Sequence, residues 1–153
     1  MTKQHHHARA HETSPHALVE PTIPVNLLIV EDDAALLNVL INVLRRDIRY
    51  VFHPAITGER ACEIIAQGRT DVVILDLSLP GIKDIDVLCH ARDAFCFFEC
   101  IVISGYAEKI QEVKSAFNPS TCFLKPFTLQ AFRDAVDTAA ENVRALRISL
   151  GHV

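Results

Sequence analysis

Glu31, Asp32 and Asp33 follow one short apolar run, Asp76 follows a second, and Ser104 and Lys125 end two more. Carboxylates gathered in one place raise one another's pKa unless a hard cation with oxygen ligands neutralises them. Magnesium suits a few carboxylates plus a phosphoryl group, and Mn2+ takes similar ligands. A carboxylate beside such a cation can attack a phosphoryl donor, while an ammonium and a hydroxyl hold the equatorial oxygens. These residue types point to an aspartyl phosphate formed on Asp76, with Lys125 and Ser104 as its supports. Helix capping is the plainer account of an acidic residue at a strand end, and for Asp33, which opens a helical pattern, it is the preferred one. For Asp76 it leaves the hydroxyl of Ser104 and the amine of Lys125 unexplained.

Bringing four distant segments to one place requires a scaffold whose strands all end on the same edge. From Val25 onward, short apolar runs alternate with amphipathic segments, the pattern of βα units around a parallel sheet. Strands are expected over residues 26–30, 49–53, 71–75, 100–104 and 121–124, with the near-continuous apolarity of strands covered on both faces. Helices are expected over 33–46, 57–67, 84–92, 107–117 and from 128 onward. The implied fold is α/β: a flavodoxin-like, doubly wound, five-stranded parallel sheet, (βα)5, in a three-layer sandwich. Its strands' carboxyl ends form one edge, where ligands bind.

The chain has 153 residues, 50% of them hydrophobic, which suits one domain. A formal net charge of -4 offers no basic surface for nucleic acid. No apolar stretch follows Lys3 and Arg9, so neither a signal peptide nor a membrane span is expected, and the expected location is cytoplasmic. The five cysteines, Cys62, Cys89, Cys96, Cys100 and Cys122, are odd in number and lack the paired short spacings of a zinc site. They read as reduced, largely buried thiols. Residues 1–24 read as a disordered tail, and its histidines, His5, His6, His7, His11 and His16, are assigned no function.

The segments LLIVEDD, ITGERA, DVVILDLSLPG, VISGY and LKPF occur in that order, and over about Leu27 to Ala139 the chain resembles the receiver domain of bacterial two-component response regulators. It is similar to the stand-alone, CheY-like type. The resemblance implies a receiver domain over 25–140, with 141–153 extending the last helix. It implies that Asp32 binds magnesium directly, that Glu31 acts through water, and that Asp76 is both phosphoacceptor and metal ligand. The backbone carbonyl of Ser78 would complete the metal site. Ser104 would be the hydroxyl switch residue, Gly105 the small neighbour that leaves room for the phosphoryl group, and the Lys125–Pro126 bond would be cis. The implied partners are a histidine kinase or phosphotransfer protein and a downstream protein target. The only chemistry implied is gain and loss of the domain's own phosphate.

The chain departs from the family's pattern in two places. Cys122 stands where the family usually has the aromatic that swings inward after the hydroxyl moves, and Phe123, by strand alternation, should point to the opposite face. Tyr106 either substitutes in part or gates water access to the phosphate. In the loop after Gly81, Lys83 and Asp84 replace a common Asp-Gly, and Asp84 is expected to tolerate the left-handed backbone of the turn.

Leu129, Phe132, Val136, Ala139, Val143, Leu146 and Leu150 alternate spacings of 3 and 4, a heptad pattern. Val143, Leu146 and Leu150 are expected to lie beyond the core, either in a homodimer seam or folded back on their own domain. Two other functions compete with a phosphorylated receiver. A phosphorylation-independent scaffold is suggested by Cys122 but opposed by the retained Asp76, Ser104 and Lys125. A flavodoxin-like or nucleotide-binding enzyme would need a glycine-rich or hydroxyl-rich phosphate loop where Glu31 and Asp32 stand.

Overall fold

A computed structural model describes residues 23–151, so the His-rich segment falls outside the described residues except for Ile23 and Pro24. Five strands, β1 Val25–Val30, β2 Tyr50–Ala55, β3 Val72–Asp76, β4 Glu99–Ser104 and β5 Thr121–Leu124, alternate with five helices. The helices are α1 Ala34–Leu44, α2 Gly58–Ala66, α3 Asp84–Ala94, α4 Ala107–Phe117 and α5 Leu129–Ser149. All strand pairs are parallel, in the order β2-β1-β3-β4-β5.

Period-two alternation divides the sheet's side chains between two cores. Leu27, Ile29, Ile74 and Ile101 join Leu40 of α1 and Phe132 of α5 on one face. Leu28, Val73, Leu75 and Val102 join Ile64 of α2, Leu88 of α3 and Ile110 of α4 on the other. This is the expected three-layer sandwich. The strand ends differ in detail: β2 runs on through Pro54 to Ala55, which an edge strand tolerates because proline's missing donor need not face a neighbour. Asp76 is the last residue of β3 itself. The left-handed residue of the loop after β3 is Gly81, at φ 91°, and not Asp84, which already belongs to α3.

The last helix corrects one expectation. Val143 is 3% exposed and belongs to the same core as Val25, Tyr50 and Val72. The heptad stripe therefore runs along the helix's own sheet, because α5 continues as far as the starting ends of β1 and β3. There Arg147 donates from Nη2 to both oxygens of Asp71 at 2.8 Å and from Nη1 to the Pro24 carbonyl at 3.1 Å. Asp71 also accepts the Asn26 N–H at 2.7 Å. Leu146 is half-buried and Leu150 exposed, so only the tip of the stripe is left for another partner. Val143→Ala should lower stability by about 2 kcal/mol. Urea unfolding at two protein concentrations tests this: a loss that depends on concentration would place Val143 in an intermolecular seam instead.

Candidate functional site

Sheet register assembles the site. Val30 pairs with Leu75, which places Glu31 beside Asp76, and Asp76 pairs with Ile103, one residue before Ser104. Ser104 pairs with Leu124, one residue before Lys125. Parallel strands share polarity, so side chains from four segments meet on one edge. Asp33 caps α1, its Oδ1 accepting the N–H groups of Ala35 at 2.8 Å and Leu36 at 3.1 Å. Its role is the capping one.

Glu31 and Asp76 are each 1% exposed, whereas Asp32 is exposed. Lys125 Nζ donates to Asp76 Oδ2 at 2.6 Å and lies 3.5 Å from Glu31 Oε2. Glu31 Oε1 accepts the Asp33 N–H at 3.0 Å. Burial alone would lower the Lys125 pKa, but the hydrogen bond and charge of Asp76, with Glu31 behind, hold it above its ordinary value. Burial pushes the Glu31 carboxyl up to about 7; Asp76 adds to the rise, while the Asp33 N–H and Lys125 oppose it. One lysine does not neutralise this cluster.

The sequence-selected residues are otherwise placed as follows. Ser104 is fully buried and its Oγ accepts the Tyr106 N–H at 3.0 Å. A Cβ built on Gly105 would meet no heavy atom within 4 Å, so packing does not require glycine there. Ser78 is exposed at the start of the loop after β3. Tyr106 is 55% exposed. Cys122 packs into the core shared with α4, and Phe123 into the opposite one, its ring 5.1 Å from Phe127 and 6.4 Å from Phe132. The Lys125–Pro126 bond is cis. The five cysteines are free, and burial raises the thiols of Cys62, Cys100 and Cys122, Cys100 to about 12, which keeps them protonated and unreactive near neutrality.

Two residues at the site escape sequence reasoning. Lys109 Nζ donates to the Leu77 carbonyl at 2.5 Å, and Glu59 Oε1 accepts the Ile82 N–H at 3.3 Å. Each is a charged residue in the first turn of a helix, which reads as a solvated face, and each partner is a backbone group that no residue type announces.

The chain's residues 27–137 match the family model described as the response regulator receiver domain. It is 31% identical over 111 residues to sporulation initiation phosphotransferase F of Bacillus subtilis, covering 71% of this chain and 89% of that protein. It is 40% identical over 109 residues to the DNA-binding response regulator MtrA of Mycobacterium bovis, covering 69% of this chain but only 46% of that protein. Its fold matches the response regulator protein TrrA of Thermotoga maritima, in complex with Mg(2+)-BeF, with a TM-score of 0.66 at 23% identity, covering 75% of this chain and 98% of that one. By its sequence match, its parallel sheet order and the residues gathered at the carboxyl edge of that sheet, the chain belongs to the receiver domain family of two-component response regulators.

Proposed function

We propose that Asp76 is the phosphoacceptor of this receiver, charged by a histidine kinase or a phosphotransfer protein. The observation that carries the reading is a buried aspartate at the end of β3, bonded to Lys125 and flanked by Glu31 and Asp32. A carboxylate oxygen of Asp76 attacks phosphorus as the bond to the donor's leaving group breaks, and the leaving group departs with that bond's electron pair. Lys125 is already at the carboxylate and is free to follow the charge onto the phosphoryl oxygens. Ser104 can exchange its bond from the Tyr106 N–H for one donated to the same group. Gly105 leaves space beside them.

The carboxylates fit a magnesium ion, which Asp32 and Asp76 would hold directly and Glu31 through water, with the Ser78 carbonyl completing the set. Glu31 Oε2 and Asp76 Oδ1 are buried acceptors without a hydrogen-bond partner, and one oxygen from each of Glu31, Asp32 and Asp76 lies within 4.8 Å of the others. Bound there, the ion would supply neutralising charge to the carboxylates and the incoming phosphoryl group. Output runs through the face made by α4, β5 and α5, where Tyr106, Leu124 and Leu129 are exposed. Its regulatory chemistry ends with loss of the same phosphate. Among the described residues no helix is long and apolar enough to cross a membrane.

Incubation with acetyl phosphate and magnesium should add the mass of one phosphoryl group to the parent and nothing to Asp76→Asn. Lys125→Ala should slow labelling on the order of 100-fold. Labelling of Asp76→Asn at the parental rate would move the acceptor elsewhere. The acidic cluster makes a second prediction. The fold holds the Glu31 proton more tightly than the unfolded chain does, so the stability tied to it is present below the ordinary value of 4.5 and lost as pH rises through about 7. In EDTA, melting temperatures of the parent should fall over that range relative to Glu31→Gln. Near neutrality, magnesium should raise the parent's melting temperature more than the variant's. Parallel pH profiles, or an equal response to magnesium, would remove Glu31 from the site.

A further inference from the structure

Lys109 lies in the first turn of α4, five residues after Ser104, and reaches back to the strand that carries Asp76. Besides its bond to the Leu77 carbonyl, its Nζ lies 3.6 Å from Asp84 Oδ2, and Asp84 Oδ1 accepts the Leu79 N–H at 3.3 Å. The ring of Tyr106 stands 5.9 Å from the same ammonium. A cation in the first turn of a helix faces the positive end of the helix dipole, and ordering a lysine side chain costs conformational entropy. Local forces would leave Lys109 extended in water, so its placement follows from the partners across the gap. That gap is a cleft of about 370 Å3 between α4 and the loop after β3, bordered by Leu79, Ile82, Asp84, Lys109 and Val113. Lys109 bridges α4 and the loop where side-chain packing leaves them apart.

Leu77 stands between Asp76 and Ser78. A peptide unit is planar and stiff, so a fixed Leu77 carbonyl fixes the plane that leads into Ser78. We propose that Lys109 is a positioning residue for the magnesium site: by holding the Leu77 carbonyl and Asp84 it sets the course of the backbone from Asp76 to Ser78, and it thereby links metal occupancy to the first turn of α4. The proposal rests on the reading of Glu31, Asp32 and Asp76 as a magnesium site. Glu59 steadies the far side of the same loop through Ile82, so the loop is tied to α2 and α4 at once.

The test is a magnesium titration of the full chain without phosphodonor, followed in 1H–15N spectra, for the parent, Lys109→Met and Lys109→Arg. Lys109→Met keeps the length of the side chain and removes its charge and donors. It should raise the magnesium dissociation constant about fivefold, less than the full worth of a charged hydrogen bond because Lys109 acts through the backbone, and amides of 107–117 should cease to respond to the metal. Lys109→Arg should recover most of both. Melting in EDTA separates a simple brace from a positioning residue: lower stability with an unchanged magnesium constant and an unchanged α4 response would overturn the proposal. So would a parental titration by Lys109→Met at full stability. If the parent itself fails to respond to magnesium, the metal-site reading fails first, and the Lys109 comparison is not what defeats it.

Discussion

Two carboxylates buried side by side are the constraint on which this edge of the molecule depends. Glu31 and Asp76 are each almost wholly removed from water, yet the protein gives them one shared ammonium, from Lys125. Charged groups so placed are tolerated only where opposite charge and hydrogen bonds answer them. The arrangement leaves this edge short of positive charge. The parallel sheet makes it possible, since only strands of one polarity deliver Glu31, Asp76, Ser104 and Lys125 to the same edge.

Much of this was legible before the structure. The alternating runs located all five strands and all five helices, and the polar residues at the ends of four runs identified the edge. What escaped has a common physical cause: periodicity records which face of an element is apolar, but not which distant backbone group a long polar side chain will meet. Lys109, Glu59 and Arg147 each bridge elements in this way. Val143 escaped for a related reason, because a stripe spaced by 3 and 4 looks the same whether it lies on a neighbouring helix or on its own sheet. Boundaries shifted where a local preference yielded to a ladder, as at Pro54 on the edge strand β2.

Cys122 is the side chain that β5 packs against the core shared with α4. Phe123 is held among Phe127 and Phe132 on the face of α1 and α5, so no aromatic of β5 lies on the α4 side. Tyr106 is the aromatic beside the hydroxyl, and its own N–H binds Ser104 Oγ. That bond ties the Ser104 hydroxyl to the backbone at the entrance to α4.

Arg147 clasps the carbonyl of Pro24, so the residue before β1 and the last turn of α5 meet at one edge. Asp76 lies at the other end of the strands, about 20 Å away for a six-residue strand. A folded segment whose described ends meet in this way can be closed by a linker and opened in an exposed loop. The order in which the strands are synthesised is thus separable from the sheet that holds the acidic cluster, and a circularly permuted chain would keep the same edge while offering its ends from a different part of the surface.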